Sequence, residues 1–344
     1  MDLLTTEQPA GRAPGSPVLP VTILGTGISV PQTVVTNADL VATGLDTTDE
    51  WIRTRTGIRE RRFLEPGRST SDLCIEAAAQ ALRAAGIEPA SLDAIVLATM
   101  TPDQPVPSTA LIVKEALGAH RAIPIDLTQA ACAGGVLGIL LGAHLLQKPD
   151  SGPVLVIGGE AMSRLTDPAD RTTRIFFGDA AGAVVLGRGD DGYGLLSWDM
   201  DSALSYAVEV RAGGASHPSS AETVAAGDHY LRMDGQIVWT EATERLPKSI
   251  EQAVASAGAS VHDVAHFVLH QANRNIINEV MRRLGVDVER AGISLDRLGN
   301  TSAATVFTVL HTVVTNKMIQ RDDLVVISGI GAGFIWGSLC LRYR

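Results

Sequence analysis

Short apolar runs and helix-like patterns alternate along this chain. Val21–Leu24, Ala94–Ala98, Val154–Ile157, Ala183–Leu186, His266–Leu269 and Leu324–Ser328 are runs of buried-strand type. Between them, apolar residues recurring every three or four positions predict helices over Ser71–Ala85, Gly135–Leu146, Thr240–Ala257, Ala272–Leu284 and Ser302–Met318. Strands alternating with helices imply α/β layers, with helices packed on sheets.

The pattern also repeats. Leu92–Thr101 leads to a small-residue helix start at Cys132, and then to the strand Pro153–Gly159. Val264–Asn273 leads likewise to Gly299-Asn-Thr-Ser-Ala-Ala304, and then to Asp323–Gly329. Two long copies of one unit predict a duplicated α/β half with a pseudo-twofold axis. The polar, glycine-rich stretch Gly187–Gly194 is the expected link. This divides the chain into a loose tail over 1–20, a first half over 21–190 and a second over 191–344. Cys132 and Asn300 are then expected to open matching helices, with His270 ending a strand, all three at the central seam.

Composition narrows the choice. At 344 residues, 45% hydrophobic and 19% charged, the chain can fold around a large core and is not disordered. Its net charge of −10 argues against a nucleic-acid partner. Cys74, Cys132 and Cys340 form no C-x-x-C pair, which excludes a zinc ribbon and fits a reducing, cytoplasmic setting. No apolar stretch is long enough to span a membrane, and the first 20 residues lack the basic and apolar regions of a signal peptide.

Three residues carry candidate chemistry. A cysteine at a helix start meets the positive end of the helix dipole and unpaired N–H groups, which favour a thiolate and can hold an oxyanion. Taken singly, each residue has an ordinary explanation. A cysteine fills space, a strand-end histidine is structural, and an asparagine before a helix caps it. Cys132, His270 and Asn300 together, at corresponding points of a duplicated unit, are much harder to explain in that way.

The motifs around these residues resemble those of β-ketoacyl-[acyl carrier protein] synthase III, in the thiolase-like superfamily. The resemblance rests on Asp49-Glu-Trp-Ile-Arg-Thr-Arg-Thr-Gly-Ile-Arg59, Ala130-Ala-Cys-Ala-Gly134, His270-Gln-Ala-Asn273 and Gly299–Ala304. Asp167–Arg171, Phe177–Gly182 and Gly329–Gly337 are similar too, so the likeness runs from about residue 21 to the C-terminus. It implies a thiolase-like fold, a layered α-β-α-β-α sandwich of duplicated halves. It also implies that Cys132 takes an acyl group from acyl-CoA, with the backbone N–H groups of Cys132 and Ala332 as the oxyanion hole. His270 and Asn300 would then stabilise the enolate formed as a malonyl thioester, usually borne on acyl carrier protein, loses CO2. Trp51 and Arg171 would sandwich the CoA adenine, with Arg55 and Asn273 also contacting CoA. A homodimer using no metal or redox cofactor is expected.

The chain departs from the family pattern at three places. Val106 stands where a bulkier residue often closes the partner's acyl pocket, which predicts starters larger than acetyl. Thr240 and Asn275 replace basic carrier-docking positions, leaving Arg274, Arg282 and Arg283 for that role. Ile330 replaces an aromatic residue near the decarboxylation site. A rival reading keeps the fold but transfers the acyl group to a hydroxyl or amine without decarboxylation. A papain-like protease would need its own signature around the cysteine, and a thiolase a second cysteine in the loop Gly329–Gly333.

Overall fold

In the first half, β1 (Val21–Ser29) is followed by a hairpin, β2 (Thr33–Thr36) and β3 (Glu60–Phe63), enclosing α1 (Asn37–Ala42) and α2 (Asp49–Thr56). The Thr36 and Thr48 side chains cap these helices, accepting from Asp39 N and Trp51 N, and Gly57 at φ 80° ends α2. Next come α3 (Thr70–Ala85), β4 (Ala94–Ala98), α4 (Thr109–Leu117), β5 (Ile123–Leu127), α5 (Gly134–Leu145), β6 (Val154–Ala161), α6 (Arg171–Arg174) and β7 (Asp179–Arg188).

The second half runs through β8 (Gly194–Ser202), β9 (Val208–Val210), α7 (Ala221–Ala225), β10 (Leu231–Met233), α8 (Gly235–Ser256) and β11 (Val264–Leu269). It ends with α9 (Arg274–Leu284), α10 (Leu295–Leu298), α11 (Thr305–Thr315), β12 (Leu324–Gly331) and β13 (Ile335–Arg342). The predicted helix from Ser302 to Met318 is shorter, because Ser302–Ala304 forms a separate tight turn before α11.

Two sheets carry the duplication. The strand orders are β1-β7-β6-β4-β5 and β11-β12-β13-β8, so β1, β7, β6 and β4 correspond to β8, β13, β12 and β11. The central strands β4, β6 and β12 are buried along their whole length, which explains their unbroken apolar character. Helices α5 and α11 fill the space between the sheets, where Val136, Ile139, Phe307 and Leu310 pack with Val156, Val184, Ile327 and Leu339. A helix between two sheets is apolar all round, as α5 is. Helix α3 covers the outer face of the first sheet and α8 that of the second. The result is the five-layered α-β-α-β-α sandwich.

This computed structural model describes residues 18–128, 130–190 and 192–344. The expected tail over 1–17, Gln129 of the nucleophile segment and Asp191 of the link therefore lie outside the described residues. Residues 18 and 19 are not loose. Val18 N and Leu19 N donate to Leu195 O at 2.7 and 3.1 Å, and Leu195 N returns a bond to Leu19 O at 3.0 Å.

Candidate active site

The halves meet at two matched turns. Ala131–Ala133 precedes α5 and Ser302–Ala304 precedes α11, and Ala131 (φ 46°) and Ser302 (φ 48°) share the left-handed conformation. The positional counterpart of Cys132 is thus Ala303. Asn300 lies upstream of the turn and opens no helix, which corrects the simple correspondence read from the sequence. It sits instead on a short bridge to Phe177, with Asn300 N donating to Phe176 O at 2.8 Å and Gly178 N donating to Asn300 O at 3.1 Å.

Strand β12 brings these parts together. A Cβ added to Gly331 would lie 2.8 Å from Cys132 N, and one on Gly329 would lie 3.3 Å from His270 Cβ and 3.5 Å from Cys132 O. At Gly331 only glycine lets the strand pass so close. Cys132, His270 and Asn300 accordingly line one apolar cavity, together with Ala332, Asn273 and Ile330. Its walls include Phe177, which opens one of the motifs behind the resemblance, and Met162, Val208 and Leu231, which belong to none of them.

Each polar group is held. His270 N still donates to Ser328 O at 2.8 Å, and the ring Nδ1 lies 2.6 Å from Thr305 Oγ1. The Thr305 hydroxyl donates its single proton to Ser302 O at 2.8 Å. It therefore accepts from His270, which assigns the ring proton to Nδ1 and leaves a lone pair on Nε2. Asn300 Oδ1 accepts from Ser302 N at 2.8 Å, leaving the amide Nδ2 as the group free to donate.

The electrostatics overturn one expectation. Burial pushes the Cys132 thiol up to about 12, and the nearby Glu160 adds to this, while hydrogen bonds with Ser302 and Asn300 act in the opposite direction. A helix start is worth about 0.3–1 kcal/mol at exposed sites and up to ~2 kcal/mol when partly buried. Raising the thiol to about 12 corresponds to ~4 kcal/mol, so burial wins and the resting group is a neutral thiol. Burial likewise pushes His270 down to about 3, so its ring is neutral. Glu160, fully buried, accepts from Thr101 Oγ1 at 2.8 Å and from Met100 N at 3.0 and 3.1 Å. Desolvation lifts its carboxyl to about 7.

The cavity opens outward. Phe176, Met233 and Gly235 border both it and an open vestibule that Trp51 and Arg171 line. The Arg171 guanidinium lies 5.5 Å from the Trp51 ring centroid, a cation–π arrangement. Arg55 is in the last turn of the same helix as Trp51 but is not among the residues lining the vestibule. Asn273 caps α9, accepting from Asn275 N at 2.8 Å.

The remaining positions lie outside the cavity. Val106 is 84% exposed and lines none of its own chain's cavity. Thr240 is exposed on α8, and Asn275 donates to Arg55 O at 2.9 Å. Arg282 and Arg283 both pair with Glu279 at 2.8 Å, and Arg274 donates to Asn278 Oδ1 at 3.3 Å. The expected basic patch is therefore partly neutralised within its own helix.

A five-layered sandwich whose two halves bring a cysteine, a histidine and an asparagine to one buried cavity is the architecture of a thiolase-like condensing enzyme. Residues 125–203 match the family 3-Oxoacyl-[acyl-carrier-protein (ACP)] synthase III, and residues 254–343 match the corresponding C-terminal family. The chain is 43% identical over 328 residues to a β-ketoacyl-[acyl-carrier-protein] synthase III of Symbiobacterium thermophilum, covering 95% of this chain and 99% of the relative. It is similar in structure to 3-oxoacyl-[acyl-carrier-protein] synthase III from Aquifex aeolicus, with TM-score 0.85 and 35% identity, covering 94% of this chain and all of that one. The priming β-ketosynthase of the R1128 polyketide pathway is also similar, with TM-score 0.87 and 31% identity over 98% of this chain and 99% of that one. The chain belongs to the β-ketoacyl-[acyl carrier protein] synthase III family.

Proposed function

We propose that this enzyme loads an acyl group from acyl-CoA onto Cys132 and condenses it with a malonyl thioester, releasing CO2 and a β-ketoacyl thioester. The observation that carries this reading is the convergence of Cys132, His270 and Asn300 on one apolar cavity that opens past Trp51 and Arg171. As Cys132 Sγ attacks the acyl-CoA carbonyl, its proton passes to the Nε2 lone pair of His270. The carbonyl oxygen gathers charge against the N–H groups of Cys132 and Ala332, each such donor contributing ~3 kcal/mol. CoA leaves as a thiolate that takes the proton from His270 Nε2, and the acyl group remains on sulfur.

As the malonyl thioester binds, His270 Nε2 takes up a proton from solvent. A ring that burial holds at about 3 accepts charge only opposite an anion, and the malonyl carboxylate and then the enolate supply one. His270 Nε2 and Asn300 Nδ2 donate to the malonyl thioester oxygen, and the C–C bond to the carboxylate breaks to give CO2 and the enolate. The enolate carbon attacks acyl-Cys132, the cysteine is expelled as a thiolate, and it recovers its proton from His270. Two donors aimed at one oxygen favour this route over simple acyl transfer, which needs a base but no enolate clamp.

In this reading the CoA adenine stacks between Trp51 and Arg171, both of which suit a π-face. Arg55 and Asn273 contact CoA further along. The chemistry uses no metal or redox cofactor. Within the described residues β5 is paired on one side only, and Ile123 on it is 62% exposed. That edge supports a homodimer, in which Val106 would close the neighbour's acyl pocket and admit starters larger than acetyl. Carrier protein would approach Arg274, Arg282 and Arg283. Among the described residues no helix is long and apolar enough to cross a membrane, and the three unpaired thiols support a cytoplasmic location.

Intact-mass spectrometry after incubation with single acyl-CoAs tests the proposal. One acyl group should be added to the wild type and none to Cys132→Ala. Adding malonyl-CoA or malonyl-carrier protein should then release a β-ketoacyl product. Loading without any product of condensation would instead support acyl transfer. Acetyl-CoA strongly preferred over C4 to C8 chains would reject the enlarged pocket.

A further inference from the structure

Arg61, on β3, is fully buried. No carboxylate lies within ion-pair distance of it among the described residues, and burial pushes its guanidinium down to about 10. Keeping a cation in such a place is costly unless it is hydrogen-bonded. Its two shortest bonds go to separate parts of the site. Nη1 donates to Asn37 Oδ1 at 2.8 Å, and Asn37 Nδ2 in turn donates to Asp49 Oδ1 at 2.8 Å, at the first residue of the helix that carries Trp51. Nη2 donates at 2.6 Å to the carbonyl of Ile175, which ends the short helix that begins with Arg171. The Arg61 Cβ also lies close to the Phe177–Asn300 bridge, since added Cβ atoms on Gly178 and Gly299 would fall 3.0 and 3.3 Å from it.

We infer that Arg61 is a positioning residue that sets the spacing between Trp51 and Arg171. The planar fork of a guanidinium can hold two acceptors on different elements at a fixed separation, which an ammonium or an apolar side chain cannot do. The inference rests on reading Trp51 and Arg171 as the nucleotide clamp.

Acylation of Cys132 by acyl-CoA and by acyl-pantetheine, the same thioester without its nucleotide, tests both ideas. Loss of one buried hydrogen-bonded link is worth about fivefold. Arg61→Lys should raise KM for acyl-CoA by about that factor and move KM for acyl-pantetheine less than about twofold. Asp49→Ala, at an exposed position, cuts only the Trp51 arm and should shift the same ratio more weakly; it decides the matter if Arg61→Lys does not fold. Trp51→Ala is the reference. If Trp51→Ala leaves the ratio unchanged, the clamp reading fails. If Trp51→Ala shifts it while Arg61→Lys and Asp49→Ala do not, the role of Arg61 is overturned.

Discussion

Thr305 Oγ1 lies 2.6 Å from His270 Nδ1 and donates its own proton to Ser302 O, so one hydroxyl decides which nitrogen of the imidazole faces the cavity as a base. The threonine comes from α11 of the second half, and the carbonyl it bonds belongs to the left-handed turn matched to that of Cys132. Fold duplication and proton placement are therefore connected at this pair.

Replacing Thr305 by Val keeps the shape and removes the acceptor. The His270 Nδ1–H would be left buried without its partner, at a cost of about 1–3 kcal/mol. Acylation and condensation rates in Thr305→Val should each fall on the order of tenfold, and Thr305→Ser should restore most of the loss. Stopped-flow acylation and a product assay measure the two steps. Unchanged rates in the Val variant would show that the tautomer is set elsewhere.

The neutral state of Cys132 is open to a direct measurement. A thiol held at about 12 has no plateau of reactivity at neutral pH, so alkylation by iodoacetamide should rise about tenfold per pH unit from pH 7 to 10. A rate already constant across that range would mean a thiolate–imidazolium pair in the resting enzyme.

Much of this arrangement is legible in the sequence, and the remainder has identifiable causes. The central strands and the helices over Thr70–Ala85 and Gly134–Leu145 are visible because they are buried in period with their geometry. Strand β8 escapes notice because glycine, serine and charged residues interrupt its apolar pattern. Cys132, His270 and Asn300 are found because the duplication points to them. The thiol's protonation state is not, since it depends on how much protein surrounds the sulfur rather than on what precedes the helix. Glu160, the one acidic residue in the otherwise uncharged run Pro153–Met162, is the signal that sequence reading could have used. Arg61 gave none, because one arginine among several in a hairpin looks solvated until the chain is folded.

Carrier docking yields a prediction about a surface triad. Glu279 is held down to about 2 by Arg282 and Arg283, both of which it engages at 2.8 Å. Such exposed pairs contribute little to stability, but they occupy two of the three arginines expected to meet an acidic partner. Glu279→Gln should free them, lower KM for malonyl-carrier protein and leave KM for malonyl-CoA unchanged. The gain should vanish as salt shortens the screening length. A KM for carrier protein that does not respond, at low salt, would place docking on another face.

Glu160 links pH to both stability and reactivity. Its carboxyl is raised from 4.5 to about 7 by burial, against the hydrogen bonds from Thr101 and Met100 that favour the anion. The folded state therefore binds a proton that the unfolded chain has already lost between those two values. Stability is greatest below about 4.5 and falls as the pH rises through about 7, by up to ~3 kcal/mol from this group. Glutamine mimics the protonated acid at every pH. In urea unfolding, Glu160→Gln should thus gain on the wild type between pH 5 and pH 8. Because the anion also raises the Cys132 thiol, the variant should be alkylated faster at pH 8 and no faster at pH 5. A stability difference that is the same at both pH values would mean that this carboxyl stays in one protonation state throughout, and that its neighbours' hydrogen bonds outweigh its burial.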